Sequence, residues 1–283
     1  MKKITQTVSG EYDGLKIPDF LKKALGLSVS LVKKVKFGGV FINQTNVHMR
    51  AIVHEGDLVT VELPDEKSEN IRAIDMPLDI VYEDDYIIAV NKPSGMPTHP
   101  SRGNSLPTLA EGIMAYFSDE NFVFRSVNRL DRDTGGIVII AKDALSAAKL
   151  SEQMKKGDFV KKYLAVVEGI PSPASATIDA PIERENESSI KRIVRDDGKR
   201  AITDYRIIKM LDDVSSLCEI TLHTGRTHQI RVHMAYIGHP LKYDFLYGKR
   251  EDGKIYMLHA RSIEFTHPYT KQRLLLQKKA DFE

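Results

Sequence analysis

Between residues 79 and 264 seven segments read as strands and only three as helices, and the two kinds do not alternate. The strand-like segments are 79–83, 86–91, 136–141, 159–168, 200–209, 216–223 and 255–264; the helix-like ones are 107–117, 143–155 and 227–237. Parallel neighbours are joined by crossover helices, so a parallel sheet demands a regular strand–helix rhythm. Without that rhythm the pattern predicts an α+β fold whose core is a mixed, mainly antiparallel sheet with flanking helices. Asp143 stands where the second helix needs a cap, since its short carboxylate can accept from a free backbone N–H of the first turn. The charged stretch 183–200 is expected to be an exposed excursion between strands.

Ahead of this region, residues 12–63 read as a small separate module that is itself α+β. Apolar positions 17, 20, 21, 24 and 25 have helical spacing, and Gly26 ends that run. Ser28 or Ser30 can cap a second helix carrying Leu31, Val32 and Val35. Gly38-Gly39 breaks into a short strand, Val40-Phe41-Ile42, and Leu58–Leu63 reads as another. Lys22, Lys23, Lys33, Lys34 and Lys36 crowd the two helices. On charge alone they are either a solvated face or a face for phosphate. Residues 64–76 are polar and aperiodic and read as a linker, leaving 77–283 as the larger domain.

The composition narrows the chemistry. One cysteine, Cys218, excludes an internal disulfide and a cysteine-built zinc site, and is consistent with a reducing, cytoplasmic setting. No apolar run reaches the roughly 18–20 residues of a membrane helix, and the basic Met1–Thr7 stretch is followed by no apolar segment, so neither a membrane span nor a secretion signal is expected. The net charge of +2 does not by itself predict nucleic-acid binding; local clusters would have to do so. Glycine-rich dinucleotide loops, Walker-type phosphate loops and G-x-S-x-G elbows are missing from the sequence, so no cofactor is expected.

Four segments join polar chemistry to strand ends. In Asn91-Lys92-Pro93-Ser94-Gly95, Lys92 sits where a strand meets a turn; it either reaches phosphate or an acid, or is an ordinary exposed lysine. In Asn128-Arg129-Leu130-Asp131-Arg132-Asp133-Thr134-Gly135-Gly136, guanidinium groups flank Asp131 ahead of the apolar run 137–141. They would keep its carboxylate ionised for attack or proton removal, or else simply knot the loop with ion pairs. Tyr163, in Lys161-Lys162-Tyr163, is either a core aromatic or a ring for base stacking with a phenol for proton transfer. The fourth, Leu222 to His233, reads as strand, turn and helix; its histidines at 228 and 233 are one residue too far apart for two metal ligands on one helix face, so no metal is expected. Arg226 in that turn is placed to pair with a carboxylate from another segment or to grip phosphate.

These segments resemble the RluA-type pseudouridine synthases. Asn128 to Gly136 is similar to the family's H-R-L-D-x-x-T-S-G motif and Leu222 to His233 contains its G-R-x-H-Q-I-R-x-H motif. Asn91–Gly95, Lys162-Tyr163, Gly238-His239-Pro240-Leu241 and the stretch from Leu258-His259-Ala260 to His267-Pro268 follow in the family's order, and the likeness spans about residues 77–270. Residues 12–63 are similar to an S-four-type RNA-binding module. The resemblance implies an RNA-modifying isomerase in which Asp131 is the catalytic aspartate, Tyr163 the active-site tyrosine and Arg226 the arginine paired with the aspartate. Lys22, Lys23, Lys33, Lys34, Lys36, Lys92, Arg129, His228 and Arg231 are then expected to hold RNA, with ribosomal RNA ahead of transfer RNA as partner and the protein acting as a monomer. The sequence departs from the family at Asn128 (usually histidine), Gly135 (usually serine) and Tyr243 (commonly glycine).

Overall fold

The computed structural model describes residues 2–63, 71–101, 105–118, 122–212 and 214–283. The first module contains β1 (Lys2–Thr7), a 3-10 turn at Gly10–Tyr12, α1 (Ile17–Lys23), α2 (Val29–Lys34), β2 (Val40–Ile42), β3 (Thr45–Asn46) and β4 (Leu58–Leu63). Its sheet runs β1-β4-β2-β3, and α1 and α2 supply Ile17, Phe20, Leu21, Leu31 and Val32 to a core with Val40, Val59 and Val61. Ser28 caps α2 by accepting from the Leu31 amide at 3.3 Å. The expected start at residue 12 is too late: β1 pairs antiparallel with the whole of β4, from Lys2 opposite Leu63 to Thr7 opposite Leu58. The alternation in Lys2–Thr7 is too short and polar to read as a strand without its partner.

The larger unit follows with β5 (Asp79–Glu83), β6 (Ile87–Lys92), α3 (Leu109–Tyr116), β7 (Gly135–Ala141), α4 (Ala144–Lys156), β8 (Val160–Glu168), β9 (Ser175–Asp179), β10 (Ile182–Arg184), β11 (Arg192–Val194), β12 (Ile202–Asp212), β13 (Ser215–Leu222), α5 (Gln229–Tyr236), β14 (Leu258–Thr266) and β15 (Arg273–Gln277). Its main sheet has the order β5-β6-β7-β14-β8-β13-β12-β9, with β15 on β14. All these pairings are antiparallel except β7 with β14. The mixed, mainly antiparallel α+β architecture is thus the one the element pattern predicts.

β6 and β7 are continuous apolar runs because both their faces are covered. Ile88, Val90, Val138 and Ile140 point into one core with Leu109 and Ile113 of α3, while Ile87, Ala89, Ile137 and Ile139 point into another with Leu150 of α4. Asp143 caps α4, accepting from the Ser146 amide at 2.8 Å. The charged stretch 183–200 holds the short β10–β11 hairpin. Of the linker expected at 64–76, residues 64–70 lie outside the described residues. The remainder is irregular and tied to α3: the Ile74 amide donates to the Glu111 carbonyl at 3.1 Å, and Arg72 pairs with the Glu111 carboxylate.

The two units share α4, since Leu145 belongs to the first module's core and Ala144 and Ala148 pack beside it. Register fixes what meets at the end of the sheet. Gly136 lies opposite Ala260, Ala260 opposite Tyr163, and Tyr163 opposite Ile220. The loop that precedes β7 therefore ends beside Tyr163 and the turn that follows β13.

Candidate active site

The loop carrying Asp131 is pinned from both sides. Asn128 bridges it to β7, its amide donating to the Ile137 carbonyl at 3.0 Å and its oxygen accepting from the Ile139 amide at 2.9 Å. The Asn91–Gly95 turn holds it from below. Ser94 Oγ donates to the Asp133 carbonyl at 2.6 Å, and Lys92 Nζ donates to the carbonyls of Arg132 (2.9 Å), Pro93 (2.9 Å) and Met96 (2.6 Å). Thr98 Oγ1 adds a bond to the Leu130 carbonyl at 2.9 Å. Lys92 is therefore not the phosphate ligand expected of it. It is wholly buried, and burial pulls its ammonium down to about 8, against the opposing pull of the Asp133 and Asp131 charges. A strand-end lysine looks exposed in sequence; only the returning Asp131 loop covers it.

Asp131 lies on the wall of a cleft of about 510 Å³, within the usual size of a small-molecule site. Tyr163, Arg129, Arg226, His228 and Arg231 line the same cleft, so half of the expected site residues converge, the three expected catalytic ones among them. Asp131 is the sole carboxylate among the described lining residues, facing several cations. Asp133 turns away: it is buried and held bidentately by Arg132 at 2.8 and 2.9 Å.

The partners of Asp131 differ from the expectation. Arg226 donates from Nε to the Arg200 carbonyl at 3.0 Å instead of pairing with the aspartate. Arg231 Nη1 and His228 Nε2 each lie 4.0 Å from Asp131 Oδ2. Arg231 is also not an outer phosphate ligand. It is buried, bonded bidentately to Asp244 at 2.7 and 2.8 Å, and stacked over Tyr256 at 4.3 Å. The start of α5 brings the two together: His228 is its N-cap residue, in a left-handed conformation (φ +57°), and Arg231 lies in its first turn. Asp244 and Tyr256 carry no local motif that marks them, and sequence reasoning missed both.

His228 is half-buried and oriented. Tyr247 Oη accepts from the Arg192 amide at 2.8 Å and lies 2.9 Å from His228 Nδ1. If the phenol gives its own proton to Nδ1, a neutral imidazole presents Nε2–H to Asp131. Burial pulls the His228 imidazole below its ordinary value, and the Asp131 charge acts in the opposite sense. Burial, and then the Asp131 charge, push the Tyr163 phenol far above its ordinary value, so it stays protonated at neutral pH. Lys161 lines the cleft too, and burial draws its ammonium downward.

The five lysines of the first module remain outside this cleft and exposed. Lys22 and Lys34 face a second groove at α4, while Lys23, Lys33 and Lys36 do not line it. His233, the other half of the rejected metal pair, is buried between Thr203 Oγ1 and the Ala180 carbonyl at 2.9 Å each.

Against known proteins, a family profile described as RNA pseudouridylate synthase matches residues 86–236. The Bacillus subtilis protein named as RNA pseudouridine synthase YjbO is 40% identical over 257 residues, covering 88% of this chain and 90% of that one. Ribosomal large subunit pseudouridine synthase D of Pseudomonas aeruginosa is 35% identical over 257 residues, covering 85% of this chain and 80% of that one. Among solved structures, human RNA Pseudouridylate Synthase Domain Containing 1 aligns with a TM-score of 0.61 at 26% identity, covering 73% of this chain and 85% of that one.

Proposed function

The chain belongs to the RNA pseudouridylate synthase family, and from that premise we propose that Asp131 is the carboxylate that acts at the sugar of an extruded uridine. The reaction breaks the bond between ribose and the base nitrogen, turns the uracil and rejoins it through a ring carbon. It is redox-neutral, so side chains alone can carry it. A stacked uridine must first leave the helix, at a cost of a few kcal/mol. The observation that carries the reading is a carboxylate that is alone among the described residues of a cation-lined cleft, with Arg231 and His228 each 4.0 Å away.

In this reading Asp131 either attacks the anomeric carbon or removes a sugar proton to give a glycal. Arg231 and His228 keep it ionised and aimed, and the neutral Tyr163 phenol packs against the base or hands over its proton. Arg129 and Arg226, which line the cleft and are exposed, would meet the phosphates. The alternative reading, a catalytically inactive RNA-binding protein, draws on Asn128 standing where the family usually has histidine; but that amide serves the loop backbone, and the acid, the phenol and the guanidinium groups are all present. A hydrolase reading needs a second carboxylate facing the first; Asp133 is turned away.

Large-subunit ribosomal RNA is the proposed substrate, supported by what the Pseudomonas aeruginosa relative is named for, with transfer RNA as the second choice. A monomer working in the cytoplasm fits the same reading. The test is Asp131→Asn. The variant should form no pseudouridine, scored by carbodiimide-dependent primer-extension stops, while binding RNA within about twofold of wild type. Normal turnover by that variant sinks the assignment. Pseudouridine maps of total RNA with and without the gene identify the target.

A further inference from the structure

Lys161 stands on β8 two residues before Tyr163, so the two side chains leave the same face of the strand, and both line the cleft that holds Asp131. The residue is 9% exposed, yet among the described residues no hydrogen bond or ion pair holds its ammonium. Lys92 shows the contrast, being equally enclosed but satisfied by three carbonyls. A buried ammonium without a partner is costly unless something else brings the acceptor. Asp131 is not that acceptor. Its charge acts on the Tyr163 phenol and the His228 imidazole, whereas what draws the Lys161 ammonium downward is burial. Nζ lies instead by the turn between β13 and α5, where a Cβ added to Gly225 would meet it at 3.8 Å.

This position selects the acceptor. Phosphates stay with the polymer, and the exposed Arg129 and Arg226 are there to receive them. What reaches a buried side chain is the extruded nucleotide itself. With the base packed on Tyr163, a residue two places along the same face, about 7 Å away, meets the edge of that ring. Uracil offers two carbonyl oxygens at its edges, O2 and O4, and an ammonium can only donate.

We propose that Lys161 is a further catalytic residue, whose ammonium donates to a carbonyl oxygen of the extruded uracil and holds the base while it is detached. The inference rests on the cleft taking that uridine. When the C1′–N1 bond breaks, its electron pair leaves with the base, and the uracil carries one negative charge spread over N1, O2 and O4. A fixed positive charge stabilises that anion more than the neutral base, which is what lowers the barrier. A half-turn about the line from N3 to C6 exchanges N1 with C5 and O2 with O4, so the ammonium finds an acceptor before and after. C5 then bonds to C1′, and in the net reaction N1 gains the hydrogen that C5 gives up. Lys161 neither gains nor loses a proton.

The test is Lys161→Met in the full chain, which keeps the length of the side chain and removes its charge. The RNA is a synthetic fragment carrying the mapped uridine, made with uridine, 2-thiouridine or 4-thiouridine at that position, and the product is separated as nucleosides after digestion. On uridine the single-turnover rate should fall by about hundredfold or more, as when one preorganised donor to a developing anion is removed. RNA affinity should stay within about twofold of wild type, and the melting temperature should not fall, since a buried unpaired charge is gone. Sulfur accepts hydrogen bonds weakly, so the penalty of the variant should shrink to about tenfold or less on at least one thio substrate. A poorly folded variant slows on all three alike, so the comparison separates a lost contact from a lost fold. A variant as fast as wild type, affinity lost with the rate intact, or one penalty for all three substrates would each overturn the proposal. An active Asp131→Asn enzyme would instead overturn the reading of the acid, on which the thio comparison does not depend.

Discussion

Arg231 stands between two carboxylates: its guanidinium clamps Asp244 at 2.7 and 2.8 Å and leaves Nη1 4.0 Å from Asp131. The longer gap is not a hydrogen bond, so Asp131 feels the positive charge while its oxygens stay available to substrate. Asp244 is itself anchored, accepting from the amides of Leu246 at 3.0 Å and Tyr247 at 3.1 Å. Arg231→Lys keeps the charge and loses the two-pronged clamp. We expect kcat to fall by about tenfold or more with RNA affinity unchanged. A loss of affinity with kcat intact would mean that Arg231 grips phosphate, as its sequence context suggested. Asp244→Asn weakens the buried pair and should lower the melting temperature as well, since leaving a buried charge poorly matched costs about 3–5 kcal/mol at worst.

The two glycines ahead of β7 should differ sharply. Gly136 has φ +112°, and a Cβ there would lie 2.5 Å from the Ala260 backbone nitrogen and oxygen. Gly136→Ala should cost about 3 kcal/mol or more, because both the backbone conformation and the β7–β14 approach forbid it. At Gly135 a Cβ would come 3.2 Å from His259 Nδ1, a side chain that can give by a few tenths of an ångström. Gly135→Ser, which restores the family's usual residue, should cost about 1 kcal/mol at most. Urea titration of both variants measures the contrast.

The elements that hold the site were legible because their residues carry their own signals. The apolar runs of β6 and β7 announce strands buried on both faces, and Asp143 announces the start of α4. Asp131 and Tyr163 were legible as a loop acid and a strand aromatic, and register then brings them together. What was not legible depends on the return of distant chain. β1 is a strand only because β4 lies beside it, Lys92 is buried only because the Asp131 loop covers it, and Arg231 rather than Arg226 faces the acid because α5 starts where it does. Asp244 has no local pattern around it and gains meaning only from the guanidinium it clamps.

Tyr243 occupies φ +68°, the left-handed region where a side chain crowds the backbone and glycine does not. This explains why glycine is common after Gly-His-Pro-Leu in the family that the sequence resembles. The ring is partly compensated by Lys242 and Lys254, each with Nζ 5.6 Å from its centroid. Tyr243→Gly should raise stability by about 1 kcal/mol or less, the relief of strain being offset by the greater freedom of glycine in the unfolded chain. A rise in melting temperature without change in turnover is the expected result; a fall would show that the ring contacts outweigh the strain.

Lys92 links the pH dependence of stability to the Asp131 loop. Its ammonium is buried and held by three carbonyls, and its pKa drops from 10.5 to about 8 on folding. Below pH 8 both folded and unfolded chains carry the proton, so the full burial penalty is present. Between pH 8 and 10.5 the unfolded chain keeps the proton that the folded chain releases, and linkage makes the native state relatively more stable as pH rises. The gain is at most about 1.4 kcal/mol per pH unit. Lys92→Met lacks this term and also strips the three carbonyls of their donor, so it should be destabilised at pH 7 by about 1–3 kcal/mol. Its deficit relative to wild type should then widen from pH 8 to pH 10. Denaturant unfolding of both proteins at pH 7, 8, 9 and 10 gives that difference directly, free of the groups the two proteins share. A deficit that stays flat across the window would mean that the ammonium is solvated rather than enclosed. Turnover of the variant at pH 7 should drop as well, because the Arg132 carbonyl that Lys92 holds adjoins the residue whose carboxylate must be aimed.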